Sequence, residues 1–345
     1  MRRLRFVLVL VLLLAPARAA SASYPWPFKP FDKQHPIRGG FGDPRTVYMD
    51  GILSGAFDGP GFFSFHQGVD IAAPNGTPIY AVANGTAHYL GAATLNLVTP
   101  GKVIFQYFHI VTVVGEGQKV YARKTVLGYV QPPYAHVHLT EIDRAHVVNP
   151  LQGGHLTPYS DTTRPTIREI EIRNQTGTLQ TPLGLCGRIE LDVDAFDTTP
   201  MRVPGTFKGL PIAPAVVKWT LRHLSGRVAV PWRLVADFRH TLPTNGQFWS
   251  TYAKGTYENA PRFGNQQYRS MPGRYLFLLS PNFDTTLVPN GIYVITVRVA
   301  DIRGNTAALS ERLSVLNAHD GVCPGSLPAS AGGGTPPEPP GASNP

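Results

Sequence analysis

Cysteine is almost missing from this chain: its 345 residues include Cys186 and Cys323 and no others. That scarcity excludes a thiolate-rich metal site and a disulfide-dense scaffold, so any bound metal must be held by imidazole and carboxylate. Charge is sparse too, at 15% Asp, Glu, Lys and Arg, and no dense Lys/Arg run marks a nucleic-acid surface. Long stretches of helical periodicity are lacking while Gly (35) and Pro (33) are plentiful, which favours strands and turns. The longest apolar run near the start, Phe6 to Leu14, is too short for a comfortable membrane span.

Residues 1–22 read as a secretory signal. Arg2, Arg3 and Arg5 precede the apolar run, and Ala17-Arg18-Ala19 and Ala20-Ser21-Ala22 both fit a small-x-small cleavage rule. No Cys follows the run, so a lipid anchor has no attachment point. Cleavage after Ala22 takes Arg2, Arg3, Arg5 and Arg18 from the 31 basic residues that stand against 22 acidic ones. The remainder is mildly basic, which suits an exported protein near an anionic envelope polymer. The expected location is extracellular, cell-wall or periplasmic, with no membrane span once the signal is removed. At 43% hydrophobic content the chain can form two domains with their own cores. Residues 23–36, aromatic and Pro-rich, are expected to be an extended piece on a domain surface.

Residues 135–141 read Ala-His-Val-His-Leu-Thr-Glu. In a strand His136, His138 and Thr140 project to one side, and Val137 and Leu139 to the other. Two imidazoles on one surface suit a metal site with a general base beside it, although an isolated pair can also be two exposed strand histidines. Upstream, His66 and Asp70 are an even number of residues apart, and Gly68 between them permits close backbone approach. Both can reach one Zn²⁺ at about 2.0 to 2.2 Å. A Gly-punctuated turn at 37–45 and a loop as far as Phe65 precede them. Residues 75–86 suggest a strand between two Asn-Gly turns. The run 103–114 suggests one strand buried on both faces, with Val103, Phe105, Tyr107, His109 and Val111 on the same side.

In that order, His66-x-Gly-x-Asp70, Pro-x-Gly-Thr-Pro-Ile-x-Ala over 74–81, Tyr107-x-His109 and His136-x-His138 resemble the lysostaphin-type, or LytM-like, zinc peptidoglycan endopeptidases. The resemblance covers 37–150. It implies a small antiparallel β domain with a groove along its sheet, His66, Asp70 and His138 as zinc ligands, and His109 and His136 as unligated catalytic histidines. Tyr107, Gln131 and Tyr134 are expected along the substrate groove. The substrate implied is a peptidoglycan peptide cross-link, with no nucleic-acid partner. Three protein ligands leave one zinc position for water, and a nearby imidazole that takes its proton contributes about 100 to 10,000-fold. His136 is the expected base because it leaves the same strand face as His138. Two alternatives stay open: a wall-binding or regulatory module with the same fold and little turnover, and a zinc peptidase acting on another secreted peptide. The chain departs from its relatives in the Pro- and Tyr-containing stretch 127–134, in Thr140 where an acidic residue often follows the ligand histidine, and in 90–102, which lacks a glycine-spaced turn.

A polar linker over 151–164 is expected to lead into alternating strands at 169–173, 189–195, 217–221 and 293–299, each able to bury one face. The overall fold class expected is all-β. An immunoglobulin-like or fibronectin-like β-sandwich over 165–317, with an irregular insertion around 243–272, follows the β peptidase domain. Asp192, Asp194, Asp197 and Asp301 are expected to be solvated turn acids, not a calcium loop. Cys186 and Cys323 are expected to form a disulfide. Residues 324–345, mostly Gly, Pro, Ser and Ala, cannot bury a core and are expected to be disordered.

Overall fold

The computed structural model describes residues 23–48, 61–91, 93–259, 273–317 and 323. The expected signal segment, residues 260–272 of the expected insertion and the tail from 324 lie outside these. The described chain is almost entirely β, in antiparallel sheets. It divides into two compact units, 1–38 with 67–161 and 39–66 with 162–345. Among the described residues no helix is long and apolar enough to cross a membrane.

The first unit is built on a sheet in which His136–Asp143 lies between Val69–Ala72 and Ile104–Phe108; Thr94–Val98, Gly85–Tyr89 and Lys119–Val120 continue it beyond Ile104–Phe108. A second sheet joins Pro78–Tyr80, Val126–Val130 and Ile110–Thr112. The run 103–114 is therefore two strands, not one. His109 sits at the break with φ 64°, a left-handed conformation unusual for a residue with a side chain, and the chain crosses there from one sheet to the other. The crossing reverses the facing expected for an unbroken strand: Tyr107 is fully buried and Val111 is 53% exposed.

Residues 24–28 are packed into the core instead of lying on a surface, while Lys29, Pro30, Asp32 and Lys33 are exposed. Tyr24, Trp26 and Phe28 are buried, and the Trp26 indole N–H donates to the Pro158 carbonyl at 2.7 Å. Tyr24 donates its hydroxyl hydrogen to Glu141 Oε2 at 2.6 Å, and His155 Nδ1 lies 2.8 Å from the same oxygen. Glu141 is fully buried in the His136–Asp143 strand, so these two contacts anchor that strand. Leu151, His155, Leu156 and Asp161 are buried as well, which makes 151–161 a packed part of this unit instead of a solvated linker.

In the second unit Thr166–Asn174, Arg188–Phe196 and Leu276–Asp284 form one sheet. Val228–Asp237, Val216–His223, Gly291–Ala300 and Thr306–Val315 form another, in that order. Alternation buries Val217, Trp219 and Leu221 with Tyr293, Ile295, Val297 and Val299 on one side of the four-stranded sheet. Residues as far as Phe65, expected as a loop, include a hairpin of Pro44–Tyr48 with Gly61–Phe65. This hairpin belongs to the second unit because Phe65 is buried there: its ring lies 5.5 Å from Phe248 and 5.8 Å from both Phe238 and Tyr252. The described part of the expected insertion includes a short helix, Phe248–Thr251, which supplies that Phe248. Asp192, Asp194, Asp197 and Asp301 are all buried, against expectation. Asp301 accepts from the backbone N–H groups of Arg303 and Asn305. Burial and the neighbouring Glu190 carboxylate push Asp192 up to about 9.

Cys186 and Cys323 are joined as a disulfide across 137 residues. Replacing both with Ser is expected to lower stability by up to about 4 to 5 kcal/mol, the chain-entropy limit for so long a loop. Denaturant melts of the oxidised and substituted proteins check this, and coincident midpoints would mean that the bridge constrains little.

Candidate metal centre

The strand His136–Asp143 places its two histidines as alternation requires, with Val137 and Leu139 fully buried on the opposite side. His138 is the register partner of Asp70 on the adjacent strand and of Phe108 on the other. This pairing brings Asp70 Oδ1 to 2.9 Å from His138 Nδ1 and 3.5 Å from His136 Nε2. Ligand atoms of His66, Asp70 and His138 all lie within 4.8 Å of one another, so these three could hold a metal ion.

The donor set fits zinc. His66 Nδ1 is 2.7 Å from the Gly40 carbonyl, which can only accept, so the ring's N–H is fixed there and Nε2 keeps its lone pair. His138 presents Nδ1 to Asp70, and its Nε2 is 2.8 Å from the Thr140 hydroxyl. Thr140 can accept that N–H, so a hydroxyl stands where relatives often carry an acidic residue. Two imidazoles, each with a hydrogen-bond partner at a ring nitrogen, and one carboxylate form an N₂O set that zinc accepts.

Gly68 is imposed by this packing. A Cβ at position 68 would stand 2.4 Å from the Leu139 carbonyl oxygen and 2.8 Å from His138 Nε2. Gly68→Ala is therefore expected to displace His138 and weaken zinc binding by at least about tenfold, an effect the size of losing a supporting contact. Competition with a chromophoric chelator measures it, and unchanged affinity would show that the strand yields without moving the ligand.

The other two histidines lie together. His109 and His136 have ring centroids 4.5 Å apart, and His109 stacks on Tyr134 at 4.1 Å with 23° between planes. His136 is buried, and its Nδ1 lies 2.8 Å from the Tyr134 carbonyl, which leaves Nε2 as the basic nitrogen. Burial pushes His136 down to about 3 and His109 down to about 4, outweighing the opposing pull of Asp70. Both rings are neutral near pH 7.

Of the residues expected along a groove, Tyr134 is 37% exposed, beside His109. Gln131 is half-buried, its backbone N–H donates to the His109 carbonyl at 2.8 Å, and its Oε1 is buried without a hydrogen-bond partner. Tyr107 does not line a surface: it is fully buried and its hydroxyl accepts from the Val82 N–H at 3.0 Å. Sequence reasoning passed over Arg38, which donates to the Tyr134 carbonyl at 3.0 Å and lies 3.5 Å from His136 Nε2. Nothing local distinguishes this arginine, since its role comes from contacts about a hundred residues away.

Residues 64–150 match the model of Peptidase family M23. The resemblance carried by the four motif blocks is shared by this match, and a metallopeptidase domain that uses zinc fits it. No curated protein matches the chain. Among similar solved structures is a zinc-containing peptidase from Vibrio cholerae, 20% identical, covering 38% of this chain and 39% of that one at a TM-score of 0.29. The catalytic domain of a mutant of the prophage-encoded M23 protein EnpA from Enterococcus faecalis is 22% identical, covering 32% of this chain and 92% of that one at a TM-score of 0.24. A chain of the SpoIIQ-SpoIIIAH pore-forming complex is 15% identical, covering 34% of this chain and 81% of that one at a TM-score of 0.27. Likenesses at these TM-scores carry no functional argument.

Proposed function

We propose that this protein is an exported zinc endopeptidase that hydrolyses peptide cross-links of peptidoglycan. The observation that carries the reading is one cluster: the His66, Asp70 and His138 donors with two neutral imidazoles, His109 and His136, beside them. When bound, zinc would polarise the scissile carbonyl and acidify a water to a pKa of about 7. His136 Nε2, basic because its Nδ1–H is committed to Tyr134, takes the proton of the attacking water and returns it to the leaving amine. His109, its ring 4.1 Å from that of Tyr134 and 4.5 Å from that of His136, positions the reacting groups. Arg38 holds the Tyr134 carbonyl, and through it the His136 tautomer. Tyr134 and Gln131 form one wall of the substrate groove. All three ligand positions are filled by competent residues, which favours turnover over an inactive wall-binding module.

The second unit fits the immunoglobulin-like or fibronectin-like sandwich reading. Support comes from its sheet orders, first-second-fifth and fourth-third-sixth-seventh strand in chain order within 162–317, with their antiparallel pairing.

The test of the enzyme reading is incubation of the mature protein with intact sacculi, with and without chelator, and mass spectrometry of the released muropeptides. Chelator-sensitive release of peptide-cleaved fragments is expected. Zinc-loaded protein that releases none while still binding sacculi would replace this reading with the wall-binding one.

A further inference from the structure

The four-stranded sheet of the second unit presents a face whose chemistry points to a ligand. Its strands carry Lys218, Arg222, Arg233, Arg298 and Arg312 against two acids, Asp237 and Glu311. Strand alternation turns Lys218 and Arg222 away from the buried side that holds Trp219 and Leu221, and register puts Arg298 directly opposite Lys218. Arg222 is opposite Val294, which is opposite Arg312, so a second cationic row crosses the sheet. Between the rows lie the hydroxyls of Thr296 and Ser310, 2.8 Å apart, while Thr220, opposite Thr296, is buried and donates to the Val230 carbonyl. Glu311 is opposite Ile295 and so belongs to the other side. Asp237 lies at the end of the face, and Arg239 holds both its oxygens at 2.8 and 2.6 Å. Among the described residues of these strands Asp237 is thus the one carboxylate on the face, and it is already held by Arg239.

Two features set this face apart from an ordinary solvated one. Like charges directly opposite in an antiparallel pair are destabilising, yet Lys218 and Arg298 are placed so. Both also lie against Trp232, with Lys218 Nζ 5.3 Å and Arg298 Cζ 5.2 Å from its ring centroid. Trp232 is 41% exposed and Leu234 beside it 61% exposed. An open aromatic ring rimmed by cations, followed by hydroxyls and then by more cations, matches a polymer that alternates apolar ring faces, hydroxyls and anions.

We propose that this face binds an anionic polysaccharide, with Trp232 against a sugar ring and the two cationic rows receiving its carboxylates or phosphates. Cations four residues apart on one strand stand about 13 Å from each other. That spacing suits anions separated by uncharged sugars better than duplex DNA, which carries a charge about every 1.7 Å of axis. The inference does not rest on the peptidase reading, because none of these residues belongs to the metal centre.

The test uses the full-length, zinc-loaded protein in affinity electrophoresis through gels containing hyaluronan, dextran or duplex DNA at matched salt. Hyaluronan places one carboxylate on every second sugar and serves as the probe. Retardation by hyaluronan but not dextran is expected, weakening as salt rises. Trp232→Ala and the double variant Arg222→Gln, Arg312→Gln should each bind at least about tenfold more weakly, with unchanged melting temperatures and unchanged hydrolysis of a short soluble peptide. The Gln variant, uncharged and at two exposed positions, keeps the test open if the Trp variant fails to fold. Absence of retardation, equal retardation of the variants, or binding to DNA as tight as to hyaluronan would each overturn the proposal.

Discussion

His138→Ala is expected to lose both the zinc ion and hydrolysis. Disturbing a contact that only supports a ligand costs about 10 to 100-fold in metal affinity, so removing the ligand itself should cost at least about 100-fold. The same substitution leaves Asp70 without the imidazole that now lies 2.9 Å away. Zinc content after gel filtration, measured beside activity on sacculi, reads both effects. Thr140→Val keeps the ligand and removes the hydroxyl 2.8 Å from Nε2, so it should fall between wild type and His138→Ala. Equal tightly bound zinc in His138→Ala and wild type would sink the ligand assignment.

The second large effect separates catalysis from metal binding. His136→Ala and His109→Ala should each retain zinc while hydrolysis falls by at least about 100-fold, the lower end of what a positioned acid-base group contributes. Zinc lost from His136→Ala and kept by His138→Ala would mean the pair is assigned in reverse. The pH profile adds a sign. A general base works in its neutral form, and burial pushes His109 down to about 4 and His136 down to about 3. Protonation that removes activity therefore occurs well below the usual imidazole value of about 6.5. Activity corrected for zinc content should persist at pH 5.5 and fall only as pH drops further. A midpoint near 6.5 would show that these rings titrate as exposed histidines.

Much of the metal centre was legible from local spacing. His136 and His138 share a strand face because side chains alternate, whereas His66 precedes the strand of Asp70 and meets it across a bend at Gly68, which even spacing does not explain. Gly68 was readable as a close approach, and the structure gives its cause in the Leu139 carbonyl and the His138 ring. The unbroken strand expected over 103–114 failed at one residue. A left-handed backbone at His109 has no signature in an apolar, β-branched run, yet it separates His109 from Tyr107 in facing and in role. Arg38 and the Gly40 carbonyl were illegible for a different reason: each acts through a partner far along the chain.

The resemblance carried by the motif blocks named the histidines and aspartate proposed for the centre, whereas composition and period by themselves determined the all-β class, the exclusion of a thiolate-rich metal site and the pairing of the only two cysteines. These follow from chemistry that each residue carries wherever it folds. Tertiary structure alone decided which compact unit the 39–66 segment joins, because that depended on where Phe65 finds Phe238, Phe248 and Tyr252. It also decided that Tyr24, Trp26 and Phe28 are core, and that Thr140 can support the ligand histidine. Register brought Lys218 opposite Arg298 for the same reason: antiparallel pairing places side by side residues whose separation in sequence carries no hint of contact.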